Sequence, residues 1–296
     1  VDPEAIDKSY GFEVPPVDQT AKLFIGGKQA RPDGNYSRAI VSPKGKVLGE
    51  VGEGNRKDIR NAVAAARNAE GWATATGHNR AQILYYWAEN LSGRTNDFAR
   101  IISEMTGVSS TVAKGEVETS VRRLFTYGAW ADKFEGTVHT PPLRGVALAM
   151  KEPIGVAGVI CPSEAPLLAF ISLVAPLVAM GNRVVAVPSE RHALAATMLY
   201  QVLETSDIPP GVINIVTGGS LALGKVLAQH DDVDTVWAFG DKVLSTEVEK
   251  LSTGNLKRTL CDYGLQTDWY DPKSCEGEVF LHHSVEVKNI WIPYGE

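Results

Sequence analysis

The chain has 296 residues, 44% of them apolar and 22% charged, and a formal net charge of -6. This is an ordinary globular balance, with enough chain for a substantial core in one or two domains. There is no basic stripe or aromatic-basic clustering, which argues against nucleic acid as a partner. The three cysteines, Cys161, Cys261 and Cys275, are widely spaced and odd in number, which suits a reducing, cytoplasmic compartment better than a disulfide framework.

In chain order, Val1 to Thr20 is acidic and polar, contains Pro3, Pro15 and Pro16, and shows no secretory signal pattern. Residues 1–21 are therefore expected to form a linker or N-terminal arm. Leu23-Phe24-Ile25 reads as a strand entering a turn at Gly26-Gly27, and a second turn falls at Pro32-Asp33-Gly34-Asn35. After Asn55, the apolar positions Ile59, Ala62, Val63 and Ala66 are spaced three and four apart, which predicts a helix. Two or three further helices follow. One carries the stripe Ile83, Leu84, Trp87 and Leu91, and another carries Phe98, Ile101, Ile102 and Met105. Thr137-Val138-His139 and Val146 to Met150 flank Pro141-Pro142 and predict a hairpin.

From Gly155 onward strands and helices alternate, with strands near Val156–Cys161, Val184–Val187, Val212–Val216 and Thr235–Phe239. This predicts an α/β fold, a doubly wound Rossmann-like parallel sheet. Ala165 to Met180 is the longest apolar stretch. It is shorter than the roughly 20 residues that span a bilayer, and Ser172 and Pro176 interrupt it, so it reads as a buried helix and no membrane is expected as a partner. Val279 to Ile292 alternates over much of its length and reads as one long strand, or two, with one exposed face. His282 and His283 would then point to opposite faces, and no H-E-x-x-H, C-x-x-C or P-loop pattern occurs, so no metal site is expected. Gly218-Gly219-Ser220 reads as a strand-to-helix turn rather than a phosphate loop.

Several ordered motifs carry a resemblance. They are Glu152-Pro153-Ile154-Gly155-Val156, Pro162-Ser163-Glu164-Ala165-Pro166, Val187-Pro188-Ser189-Glu190, Pro209-Pro210-Gly211-Val212-Ile213-Asn214-Ile215-Val216, and Asn255-Leu256-Lys257-Arg258 leading to Cys261-Asp262-Tyr263-Gly264-Leu265. Over about Leu23 to Asp271 this series resembles the aldehyde dehydrogenase superfamily. The resemblance implies a dinucleotide-binding domain, a catalytic domain and a bridging or oligomerisation element.

Several positions depart from the family's pattern. Glu164 stands where the family has an oxyanion-stabilising Asn, and Val187 where it has a cofactor-binding Lys. Glu190 matches the family's ribose-binding Glu and reads equally as a surface carboxylate near a helix start. The family's pyrophosphate turn falls on Ala238-Phe239-Gly240-Asp241. Gly240 is kept, Ser245 replaces a second glycine, and Asp241 brings a carboxylate to the phosphate site. Two unit charges about 4 Å apart repel by roughly 4 kcal/mol at an effective dielectric of about 20, an opposition that Lys242 could partly offset. Helix capping is the simpler reading of Asp241. The general base falls on Asp262, one methylene shorter than the family's Glu, and general-base catalysis needs hydrogen-bond reach. None of the three cysteines maps onto the nucleophile, and the catalytic domain is absent between Gly264 and Glu276. Cys161 and Cys261 read as small buried hydrophobes.

The pattern resembles the C-terminal half of a double-length (family 16) aldehyde dehydrogenase. The expected domains are a dinucleotide-binding-like unit over 22–136 and 153–271, and a bridging β-hairpin with a C-terminal oligomerisation strand over 137–152 and 276–296. The expected role is non-catalytic assembly of a larger protein, with an NAD-binding regulatory module as the alternative. No catalytic residue is assigned, Glu164 and Asp262 being degenerate. No cofactor is expected, Val187, Glu190, Gly240 and Asp241 being vestigial, although weak NAD binding stays open. The expected partners are the N-terminal half of the same protein, a second copy through the terminal strand, or both.

Overall fold

The structure, a computed structural model, describes residues 20–142 and 144–294. The chain begins with a tight hairpin, β1 (Leu23–Ile25) and β2 (Lys28–Ala30). Its two-residue turn, Gly26-Gly27, has positive φ at both positions, which glycine adopts without strain. A second hairpin, β3 (Ser37–Val41) and β4 (Val47–Gly52), forms a separate two-stranded sheet. Four long helices follow, with a single turn at Gly71–Thr74 between the first two: α1 (Arg56–Asn68), α2 (Gly77–Ser92), α3 (Thr95–Thr106) and α4 (Ser110–Trp130). Asn55 starts α1 with a capping box shared with Asp58. The stripes on α1, α2 and α3 are the buried faces.

Next come β5 (Thr137–His139), β6 (Gly145–Pro153), β7 (Val156–Ile160), α5 (Pro166–Ala179), β8 (Arg183–Val187), β9 (Ile213–Ile215), α6 (Ser220–Gln229), β10 (Thr235–Ala238), α7 (Lys242–Leu251), β11 (Arg258–Cys261) and β12 (Val285–Pro293). The main sheet has the order β11-β10-β7-β8-β9-β1-β2. Its five strands from β11 to β9 are parallel, and β1 joins antiparallel through Phe24 and Ile215. One face packs α1, α6 and α7 over Val156, Ile160, Val185, Val187 and Val236. The other packs α5, with α2 and α4 outside it, over Ala157, Val159, Val184, Ala186 and Trp237. Lying between the sheet and a second helical layer, α5 is buried on every side, which explains its unbroken apolar sequence. The doubly wound Rossmann-like expectation holds.

A three-stranded antiparallel sheet, β12-β6-β5, stands apart. It contains the predicted hairpin, with Val138 opposite Leu148. The terminal segment departs from expectation over its first half: Glu278–His283 is a helix, and only Val285–Pro293 is a strand. The neighbours Phe280 and Leu281 are both buried, which a helical turn allows and strand alternation does not. Phe280 packs among Trp237, Phe239 and Trp269. His282 and His283 are therefore helical, and His282 sits 3.2 Å from Glu278.

Residues 1–19 of the expected arm lie outside the described residues. Ala21, its last member, already bridges to Val51 and belongs to the folded part. Among the described residues no helix is long and apolar enough to cross a membrane, and no group of three or more His, Cys, Asp or Glu is placed to hold a metal.

Candidate functional site

The chain leaves β7 for β8 on one side and later returns to β10 on the other. Such a switch opens a crevice beyond the carboxyl ends of the strands. Here the crevice measures about 700 Å³, and its lining includes Ser163, Glu164, Arg191, Gly240, Asp241 and Asp262.

Four loops build it, those after β7, β8, β10 and β11. The loop after β7 enters α5 through Ala165, a non-glycine residue at φ 42°, which gives the helix no side-chain cap. The cap comes from α4, where buried Glu116 Oε1 accepts from Leu167 N (2.9 Å) and Leu168 N (3.3 Å). Burial pushes the Glu116 carboxyl up to about 7, with those two hydrogen bonds partly opposing. His192, after β8, donates through Nδ1 to Ser163 O at 2.9 Å and ties the first two loops together. The third loop follows β10. There Asp241 Oδ1 accepts from Leu244 N at 2.7 Å and caps α7.

Asp262 braces two loops, its Oδ1 accepting from Gly240 N (2.9 Å) and Gly264 N (3.3 Å). Burial raises its carboxyl above the usual range, and Glu164 adds to this, while the hydrogen bonds oppose it. Ser245 is buried and accepts from Tyr263 N at 3.1 Å, so it takes part in the same bracing.

Val187 is fully buried in the core under α1, α6 and α7 and lies outside the crevice lining. Glu190 is half exposed. Its Oε1 lies 3.1 Å from Arg38 Nη1, and its Oε2 accepts from Ser220 N at 3.0 Å, at the start of α6. Glu53 accepts from Gly219 N at 3.2 Å and meets the same arginine. The structure thus brings Glu164, Gly240, Asp241 and Asp262 to one crevice and holds Glu190 in a separate cluster. Arg38, Glu53, Glu116 and His192 were not foreseen. They reach their places from distant elements, and nothing local in the sequence marks them.

No thiol lines the crevice. Cys161 is buried and its thiol is pushed up by burial. Cys261 is only partly buried, less than expected, and burial takes it up to about 12. Cys275, expected in a joining segment, is fully buried.

A dinucleotide's pyrophosphate needs backbone N–H groups and favourable charge. The first N–H groups of a helix have no intrahelical acceptor. Asp241, on the crevice wall, takes that of Leu244, which leaves those of Lys242 and Val243 in the first turn of α7 behind it. Gly240 presents backbone beside them. These features fit the group; the Asp241 carboxylate opposes it.

A family model, that of the aldehyde dehydrogenase family, matches residues 30–269. An aldehyde dehydrogenase of Davidiella tassiana is 33% identical over 251 residues, covering 83% of this chain and 51% of that protein. A betaine aldehyde dehydrogenase of Bacillus subtilis (strain 168) is 30% identical, covering 82% and 50%. Betaine aldehyde dehydrogenase from Staphylococcus aureus, solved in complex with NAD+, superimposes with a TM-score of 0.78 at 25% identity, covering 82% of this chain and 49% of that one. The chain spans about half the length of the curated relatives it matches.

Two expectations are overturned by these findings. The expectation of a protein that is no enzyme gives way because the relatives are named dehydrogenases. The expectation of no cofactor gives way because solved neighbours hold NAD+. The first rests on the missing cysteine nucleophile and catalytic domain together with Glu164 and Asp262, the second on Val187 and Asp241, and Val187 lies outside the crevice lining.

Proposed function

This chain belongs to the aldehyde dehydrogenase family, and on that premise we propose that it is the dinucleotide-binding portion of an oxidoreductase acting on aldehydes, with NAD held in the crevice at the strand switch point. The observation that carries the reading is that crevice, about 700 Å³, with Gly240 and Asp241, the cap of α7, on its wall. When bound, NAD accepts the hydride released by aldehyde oxidation. The thiol nucleophile comes from polypeptide outside this chain, because none of Cys161, Cys261 and Cys275 lines the crevice. The altered positions fit one half of a double-length (family 16) member.

The test is calorimetric titration of NAD into the chain and into Asp241→Asn. Asn still caps a helix well but carries no charge beside the pyrophosphate. The Asn variant should bind about tenfold more tightly, a gain of roughly 1.4 kcal/mol. Absence of heat from both proteins at millimolar NAD would sink the proposal.

A specific observation supports a second role, in assembly. Strand β12 is the edge of its sheet, and Val287, Trp291 and Ile292 on it are exposed. An apolar edge strand is a template for pairing. It would join this chain to the N-terminal half of the same protein or to a second copy, and a symmetric pair is the default for copies. Val287→Pro removes a strand donor and should lower the mass seen by light scattering to that of one chain. A mass that does not change would count against self-association through β12.

A further inference from the structure

A second cavity, of about 460 Å³, lies between the start of α1 and the end of α6, away from the crevice. Its lining includes Arg56, Lys57, Arg60, Gln229 and His230, with Val226 as an apolar wall. Helix starts favour acidic side chains, yet three of the first five residues of α1 are cations. Arg56 and Arg60 stand one turn apart, where like charges repel.

The nearby carboxylates are committed elsewhere. Asp58 is buried and accepts from the N–H groups of Asn55 and Asp33. Asp33 is hydrogen-bonded and ion-paired to Lys57. Among the described residues neither Arg56 nor Arg60 forms an ion pair or a side-chain hydrogen bond, although the Arg60 charge helps to lower the Asp33 carboxyl. On the opposite wall, His230 Nδ1 accepts from Asp232 N at 3.2 Å, which leaves the ring proton on Nε2. Burial holds His230 below its ordinary value and so favours the neutral ring, with Asp231 and Asp232 pulling the other way and Lys257 and Arg67 adding to the burial effect. Three cations kept at a helix start, with one carboxylate, Asp33, to answer them and inside a concavity, break a local rule in the way functional sites do.

We propose that this cavity binds the phosphate group of a small phosphorylated molecule. Arg56 and Arg60 would grip the phosphate oxygens, since guanidinium forks match that geometry. Lys57 adds charge at the rim, Gln229 and His230 add neutral donors, and Val226 meets the apolar part of the ligand.

The test is thermal denaturation of the full chain with pyrophosphate at millimolar concentration, against sodium chloride of equal ionic strength. Both arginines are exposed, so the double variant Arg56→Gln, Arg60→Gln should fold. Pyrophosphate should raise the melting temperature of the unaltered chain by several degrees more than chloride does. Without pyrophosphate the double variant should melt above the unaltered chain, because a repulsion is gone, and it should lose the pyrophosphate response. Three results overturn the proposal: an equal response in the double variant, an equal effect of chloride, or no response in the unaltered chain.

Discussion

Replacing Arg123 by Met should cost about 3 to 5 kcal/mol of stability, since it leaves two buried carbonyls without a donor at about 1 to 3 kcal/mol each. Arg123 lies within α4 and is 1% exposed. Its guanidinium donates to Ser172 Oγ at 2.7 Å on α5, to Trp269 O at 3.1 Å and to Cys275 O, and its Nε lies 3.5 Å from Glu276. One side chain therefore fastens the stretch between Asp262 and Glu278 to the helical layer beneath the crevice. Met fills much of the volume but leaves two carbonyls unpaired and Glu276 with only the Thr126 hydroxyl, and an unmade buried hydrogen bond costs more than a made one contributes. In a chain of this size that loss should lower the melting temperature by roughly 10 °C. The same variant should open residues 264–276 to proteolysis. A melting point within a degree or two of the unaltered chain would show that the clamp is dispensable.

Glu116→Gln should change stability in a pH-dependent way. The carboxyl stands at about 7 in the folded chain against an ordinary 4.5, because burial disfavours its charged form. The folded state therefore holds a proton that the unfolded chain gives up between those values. The stability this contributes is complete below about pH 4.5 and is lost as pH rises through about 7. Gln keeps an oxygen that can accept from Leu167 N and Leu168 N but does not titrate. The two proteins should be similar near pH 4.5, and Gln should be the more stable by roughly 3 kcal/mol at pH 8. Urea midpoints measured across this range decide the matter, and a difference that does not vary with pH would refute it.

Both residues show why sequence reading stopped where it did. Strand β7 and the part of β8 after Arg183 are short apolar runs flanked by turn residues, buried on both faces, and their alternation with helices made the sheet legible. The stripes of α1 to α3 are periodic, so their buried faces were legible. In α4, by contrast, Glu116 and Arg123 look like surface charges, and only the packing of α5 against that helix buries them. Their partners are far away in sequence, so no window of residues could join them. The helix at Glu278–His283 was missed for a related reason. The alternation that belongs to β12 was extended backward over Phe280 and Leu281, whose shared burial comes from the aromatic cluster around Trp269. In the crevice, the ordered motifs located Glu164, Gly240, Asp241 and Asp262. That Asp262 braces the Gly240 and Gly264 loops became visible only with the backbone in place.

The antiparallel seat of β1 against β9 has a consequence for synthesis. Phe24 is among the first described residues to leave the ribosome, yet its ladder partner is Ile215. The β1–β2 hairpin can close on its own turn at once, but it must wait as an isolated ribbon, marginal in water, until the chain as far as Ile215 has followed. The helices between can form from local contacts while it waits, whereas the long-range pairing bears the loop-closure cost and comes late. The edge of the sheet laid down first in time is thus among the last to be sealed.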